Sequence, residues 1–228
     1  MTRKEVLGEG IELYLGDCRD ILPTLGKVDC IVTDPPYGMA FRSNYRTVKH
    51  DAIINDRSED MLRWACEIDA AHSKYIFCRW DNIGSVPKPR SCVTWVKNNW
   101  SMGDLEHEHG RQTEVCLFYP GDGHFFPNGR PPDVISAPRT SNEHHPTEKP
   151  VQLMSAVIGW TRGVVVDPFC GSGSTLVAAV QDGRDCIGIE MDPKHFETAL
   201  RRVSEALSRP RLFIPTPAPK AKQEAFDL

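Results

Sequence analysis

Short apolar runs alternate along the chain with stretches of helical spacing. Residues 11–15, 28–33, 74–78, 92–96, 114–119, 164–166 and 186–189 are rich in β-branched and aromatic side chains and read as strands. Residues 61–71, 151–160 and 174–181 read as helices between them, with Gly183 stopping the last. A final helix is the easiest to place. Asp192 suits an N-cap, Pro193 suits the first helical position, and Phe196, Leu200, Val203 and Leu207 recur on one face until Pro210 ends it. Strands alternating with helices predict an α/β sheet.

Two stretches lack this periodicity. Residues 39–57 follow a Pro-Pro-Tyr-Gly turn, and residues 120–150 are rich in Pro, Gly, Asn and His. Loops of that length in a compact domain are uncommon and often functional. The tail beyond the last helix, residues 209–228, carries several prolines and charges and reads as a strap or a disordered end. Residues 1–208 are therefore expected to form a single domain.

Composition narrows the picture. At 228 residues, 40% hydrophobic and 25% charged, the chain is ordinary for a globular protein. The first ten residues hold no apolar signal core, and no apolar run approaches the roughly 18 residues of a membrane span. A soluble, cytoplasmic protein is expected, away from membranes. Eight cysteines occur without a C-x-x-C pair, mostly inside apolar runs, which favours buried thiols over disulfides or zinc. A net charge of −4 gives no support to a protein that coats nucleic acid indiscriminately, so any contact with DNA needs local positive charge.

Two motifs carry chemistry. Residues 166–174 read Val-Asp-Pro-Phe-Cys-Gly-Ser-Gly-Ser: a strand ends at Asp167, a glycine-bearing turn follows, and a helix begins near Ser174. That order aims backbone N–H groups and a helix N-terminus at a ligand. A second strand, Cys-Ile-Gly-Ile-Glu, ends at Glu190, 23 positions after Asp167. An acid at that place is where α/β nucleotide folds hold ribose hydroxyls. No Lys-Ser or Lys-Thr follows the glycines, so this is not a P-loop, and the spacing is not G-x-G-x-x-G. An acidic loop without a basic residue suits a ligand with an amino group, and S-adenosylmethionine offers an ammonium, a ribose diol and an adenine.

The other motif is Thr33-Asp34-Pro35-Pro36-Tyr37-Gly38, at the end of a predicted strand. Its prolines fix the Asp34 carboxylate, the Pro35 carbonyl and the Tyr37 ring in one geometry. An exocyclic amine on a base is a poor nucleophile because its lone pair is delocalised into the ring. Two acceptors gripping its N–H groups favour a pyramidal nitrogen, and Tyr37 can stack on an extruded base.

The pair TDPPYG and DPFCGSG resembles the DNA amino-methyltransferases, in the permuted group whose catalytic motif precedes the cofactor motif. The resemblance runs from about Ile11 to Ala206 and extends to Gly16-Asp17, Trp95-Val96-Lys97, His145-Pro146-Thr147-Glu148-Lys149-Pro150 and Gly183-Arg184. It implies a Rossmann-like sheet of seven mostly parallel strands with helices on both faces, in circularly permuted order. It implies a catalytic set of Asp34, Pro35, Pro36 and Tyr37. Phe169, Gly171 and Gly173 then shape the pocket for the methionine half of S-adenosylmethionine, with Asp167, Pro168, Cys170 and Ser174 in the same loop. Glu190 holds the ribose with Met191 against the adenine, Asp17 reaches the adenine amino group, and Thr147 and Lys149 lie near the carboxylate. No metal is implied.

Double-stranded DNA is the implied partner. Arg42, Arg46 and Lys49, interleaved with Phe41 and Tyr45, suit a loop that meets phosphates and bases, although a solvated loop accounts for them equally. The region for target recognition, residues 98–145, is short, so recognition is loose or needs a second subunit, as in a homodimer. Glu106 to His109 and His144-His145 lack metal-ligand spacing. Adenine N6 is the expected target, because related cytosine-N4 enzymes usually carry Ser where this chain has Asp34. Cytosine-N4 methylation and a non-catalytic, cofactor-holding subunit are the competing readings.

Overall fold

The computed structural model describes residues 2–36, 59–99, 106, 107, 109–140 and 148–209. The chain starts with an antiparallel hairpin of β1 (Arg3–Gly8) and β2 (Ile11–Leu15). A short helix α1 (Cys18–Ile21) leads through a 3-10 turn to β3 (Cys30–Thr33). After α2 (Asp60–Glu67) come β4 (Ser73–Cys78), β5 (Ser91–Val96), β6 (Thr113–Pro120) and β7 (Val134–Ser136). The remainder is α3 (Val151–Ile158), β8 (Val165–Asp167), α4 (Ser174–Gln181), β9 (Cys186–Glu190) and α5 (Pro193–Ser208).

The strands of the described residues form one sheet in the order β1-β2-β9-β8-β3-β4-β6-β5-β7. Parallel pairing runs without a break from β2 to β4, which is where βαβ crossovers put helices on both faces. Alternate residues of each central strand enter different cores. Cys30, Val32, Tyr75, Phe77 and Val165 pack towards α3, α4 and α5. Ile31 and Val166 pack with residues of α1 and α2, and Ile76 and Cys78 join Leu62, Ala65 and Cys66 of α2. Burial on both faces explains why these strands read as continuous apolar runs. Seven of the eight cysteines are buried and all are free thiols, as their setting in apolar runs predicts.

The α/β sheet with helices on both faces matches the expectation, but two strands lie outside the seven read from the sequence. Strand β1 is an edge paired on one side only with no fully buried residue, so its residues show little apolar alternation. Strand β7 is three residues long and sits inside the stretch expected to be loop. Helix α2 ends at Glu67, four residues earlier than expected, because Ile68 turns extended and Lys74 Nζ donates to the Ile68 carbonyl at 2.7 Å. Helices α4 and α5 have the expected bounds, and Asp192 caps α5 by accepting from Lys194 N at 2.7 Å.

One topological feature positions the site. From β3 the chain crosses through α2 to β4 on one side, whereas from β8 it crosses through α4 to β9 on the other. Adjacent parallel strands whose connections diverge leave a crevice outside their carboxyl ends. Asp34 follows β3 and Pro168 follows β8, so both motifs open into that crevice.

Candidate functional site

On the β8 side, the turn after Asp167 is built on two left-handed glycines, Gly171 at φ 51° and Gly173 at φ 85°. Gly173 occupies the cap position of α4, whose N-terminus therefore faces the crevice. The Gly171 N–H donates to Glu190 Oε2 at 2.8 Å, and Asp192 N–H donates to Glu190 Oε1 at 2.7 Å. Glu190 thus ties the end of β9 to the glycine turn. Burial pushes its carboxyl up to about 7, against the pull of those two N–H groups. Each carboxylate oxygen has room for a further donor.

The turn is braced from behind. Arg202 on α5 donates from Nη1 to Ser172 O at 2.7 Å and pairs through Nη2 with Glu148 at 2.8 Å. Phe169 meets the Trp64 ring edge-on at 6.0 Å between centroids. Cys170 and Pro168 are buried as packing, and burial holds the Cys170 thiol well above its usual range. Asp167 is turned into the fold: Oδ1 accepts from Thr33 Oγ1 at 2.6 Å and from Phe169 N at 3.1 Å. The bond from Thr33 joins the last residue of β3 to the last residue of β8.

On the β3 side, Asp34 Oδ2 accepts from Lys149 Nζ. Oδ1 is buried and accepts no hydrogen bond among the described residues. Burial pushes the Asp34 carboxyl up to about 6, offset by the Lys149 ammonium and reinforced by the nearby carboxylates of Glu114 and Asp167. A buried acceptor without a donor is uncommon, and in a crevice it marks a place for one.

A relative identifies this arrangement. The chain is 32% identical over 211 residues to YubD of Escherichia coli (strain K12), which carries the name of a methylase, covering 83% of this chain and 88% of that one. The family described as DNA methylase matches residues 91–201. The chain belongs to the N6/N4 DNA methylase family.

The methylase is also 25% identical over 248 residues to the type II methyltransferase M2.MboI of Moraxella bovis, which spans 86% of this chain and 89% of that one. Its fold superposes on M1.HpyAVI, solved as a complex with SAM, at TM-score 0.64 and 24% identity over 84% of this chain and 98% of that one. It also superposes on the cytosine-N4-specific PvuII DNA methyltransferase at TM-score 0.62 and 14% identity, over 83% and 85% of the two chains.

Of the residues picked out in the methylase sequence, Asp34, Pro35, Pro36, Asp167, Pro168, Phe169, Cys170, Gly171, Gly173, Ser174, Glu190 and Met191 gather around the crevice ends of β3, β8 and β9. Asp17 follows β2, caps α1 by accepting from Arg19 N at 2.9 Å, and pairs with the Arg19 guanidinium. Lys149, expected beside a cofactor carboxylate, is joined to Asp34 and lies 3.3 Å from Glu114 Oε2. Tyr37, Arg42, Tyr45, Arg46, Lys49 and Thr147 lie outside the described residues, as do Glu108, His144 and His145. Among the described residues, no helix is long and apolar enough to cross a membrane.

Sequence reasoning missed Glu114 and Arg202. Glu114 is the one acid in the run Glu-Val-Cys-Leu-Phe-Tyr, a signal that an ion partner waits in the fold. Arg202 lay on the polar side of α5 and gave no such signal.

Gly173 gives a direct check on the loop. A Cβ there would lie 3.0 Å from Ala199 Cβ while φ stays at +85°. Left-handed backbone costs a non-glycine residue about 1–2 kcal/mol. Gly173→Ala is expected to lower unfolding stability by at least that amount in denaturant titrations. An unchanged midpoint would mean that α5 moves aside and the turn relaxes.

Proposed function

We propose that this methylase transfers the methyl group of S-adenosylmethionine to the exocyclic N6 amine of an adenine in double-stranded DNA. The observation that carries the reading is the Asp34 carboxylate, with Oδ2 held by Lys149 and Oδ1 buried without a donor. The target amine is the donor that Oδ1 lacks. Asp34 Oδ1 and the Pro35 carbonyl accept its two N–H groups, turning the nitrogen lone pair away from the base ring. Tyr37, two residues on, stacks on the extruded base.

The residues at the ends of β8 and β9 fit the cofactor. The Glu190 carboxylate keeps accepting capacity for a ribose diol after its two backbone bonds. Gly171 and Gly173 keep the turn free of side chains beside the methionine half, with Phe169 in the same turn and Met191 next to the ribose acid. Bound S-adenosylmethionine supplies an electrophilic methyl. As the N–C bond forms and the C–S bond breaks, the amine must lose a proton, and Asp34 Oδ1 takes it. Positioning and charge complementarity carry the rate, with no covalent enzyme intermediate.

The acid at position 34 favours adenine through the family resemblance, since related cytosine-N4 enzymes usually carry Ser where this chain has Asp34. A relative named DNA adenine methyltransferase YhdJ, from Escherichia coli (strain K12), is 39% identical over 67 residues, or 28% of this chain and 23% of that one. The test is incubation of the purified chain with DNA and isotopically labelled S-adenosylmethionine, followed by nucleoside mass spectrometry. Labelled N6-methyladenine is the expected product. N4-methylcytosine would keep the reaction and replace the base, whereas unlabelled DNA would leave a cofactor-holding subunit.

A further inference from the structure

Two more charged side chains continue the row that begins at Asp34 and Lys149. Glu114, the second residue of β6, accepts through Oε1 a 2.6 Å bond from Lys97 Nζ while its Oε2 faces Lys149 Nζ at 3.3 Å. Lys97 directly follows β5, and its backbone N–H donates to Gln112 O at 2.8 Å, which fixes it beside Glu114. The ammonium groups of Lys97 and Lys149 lie 5.1 Å from the Trp95 ring centre and 5.5 Å from that of Phe77. The row crosses four strands at the crevice edge of the sheet, and its charges alternate from Asp34 through Lys149 and Glu114 to Lys97. Both lysine side chains are at most 8% exposed. Such a desolvated row contributes little stability that apolar side chains would not supply better, so its presence calls for a task.

We propose that Glu114 and Lys97 are positioning residues for methyl transfer. Lys97 fixes the Glu114 carboxylate, Glu114 gives the Lys149 ammonium a second anchor besides Asp34, and Lys149 thereby keeps Asp34 Oδ2 occupied and Oδ1 turned to the amine. This rests on the reading of Asp34 as the acceptor for that amine. A lysine held from one side only has four side-chain torsions to wander in. Held between two carboxylates, it is pinned, and the carboxylate that it grips stops exchanging its two oxygens.

The outer pair also sets the charge on Asp34, with a sign for each member. The groups facing Asp34 are Lys149 before α3, Glu114 of β6 and Asp167 of β8, together with the thiols of Cys78 and Cys116, which burial keeps neutral. Glu114 opposes ionisation of Asp34 by like charge. Lys97 acts through Glu114: without it, Glu114 draws Lys149 away from Asp34, and Asp34 holds its proton more tightly.

The test uses the full chain with DNA, following kcat against pH and cofactor affinity by calorimetry. Glu114→Gln should move the acid limb of kcat to lower pH, and Lys97→Met should move it to higher pH, each by on the order of one unit. Plateau kcat should fall about tenfold or more in each as Asp34 loosens, with cofactor affinity and the KM for DNA nearly unchanged. Lys97→Met leaves the two carboxylates of Asp34 and Glu114 to share the one ammonium of Lys149, so the double variant Lys97→Met/Glu114→Gln carries the test where the single variant does not fold. It should behave as Glu114→Gln does alone, because Lys97 has no route to Asp34 once Glu114 is gone. Unmoved acid limbs in folded variants, additive losses in the double variant, or cofactor affinity falling in step with kcat would overturn the proposal. Asp34→Asn separates the two levels. Full turnover in that variant sinks the reading beneath, whereas its inactivity beside an unshifted Glu114→Gln limb sinks the role of the outer pair alone.

Discussion

Asp34→Ala is expected to lower the turnover of methyl transfer by roughly 10²–10³-fold while leaving the affinity for S-adenosylmethionine nearly unchanged. The separation follows from where the carboxylate is anchored. Asp34 Oδ2 is bonded to Lys149, its Oδ1 faces no donor among the described residues, and the Glu190 bonds run to Gly171 and Asp192. On the proposed reading, removing Asp34 takes an acceptor from the target amine and nothing from the acid on β9. Stability should fall only modestly, because Lys149 keeps Glu114 at 3.3 Å and is not left as an isolated buried charge. Calorimetry with the cofactor, thermal melts and single-turnover methylation on the same preparation read all three quantities. Turnover near that of the parent protein would remove Asp34 from the chemistry.

How much of this was legible in the sequence differs between the backbone and the charges. The strands that bury both faces, β3, β4, β8 and β9, announced themselves as apolar runs, and Asp192-Pro193 marked the start of α5. Edge strands gave no such sign, since β1 has solvent on one side and few apolar residues to alternate. The two motifs were legible because their backbone is unusual: prolines after Asp34, and glycines at left-handed φ after Cys170. What stayed hidden is the pairing between charges far apart in the chain. Lys97 and Glu114 meet only because β5 and β6 pair antiparallel with Trp95 opposite Glu114, and Lys149 reaches Asp34 from 115 positions away. Register and topology decide such contacts, and no local pattern encodes them.

Glu190→Gln is expected to weaken cofactor binding by roughly 1.5–3 kcal/mol, the worth of hydrogen bonds to a charged group, which is about ten- to a hundredfold in Kd. Part of that loss lies in the loop itself. The Gly171 and Asp192 N–H groups each use one carboxylate oxygen, and an amide offers only one acceptor to the two of them. The pH dependence distinguishes the ribose contact from this loop effect. Burial raises the Glu190 carboxyl to about 7, above the ordinary glutamate range. Between the two values the folded apoprotein binds a proton that the unfolded chain does not, so this group's contribution to stability falls as pH rises from about 4.3 to 7. Ribose hydroxyls need the ionised acceptor, so binding moves the opposite way. It should strengthen close to tenfold per pH unit on approaching 7 from below, then level off. In Glu190→Gln the same titration should be nearly flat below 7, because an amide has no proton to lose. Apoprotein melts should decline over the interval in which cofactor stabilisation grows, with both trends weakened in the variant. Parallel pH curves for the two proteins would place the ribose somewhere other than the end of β9.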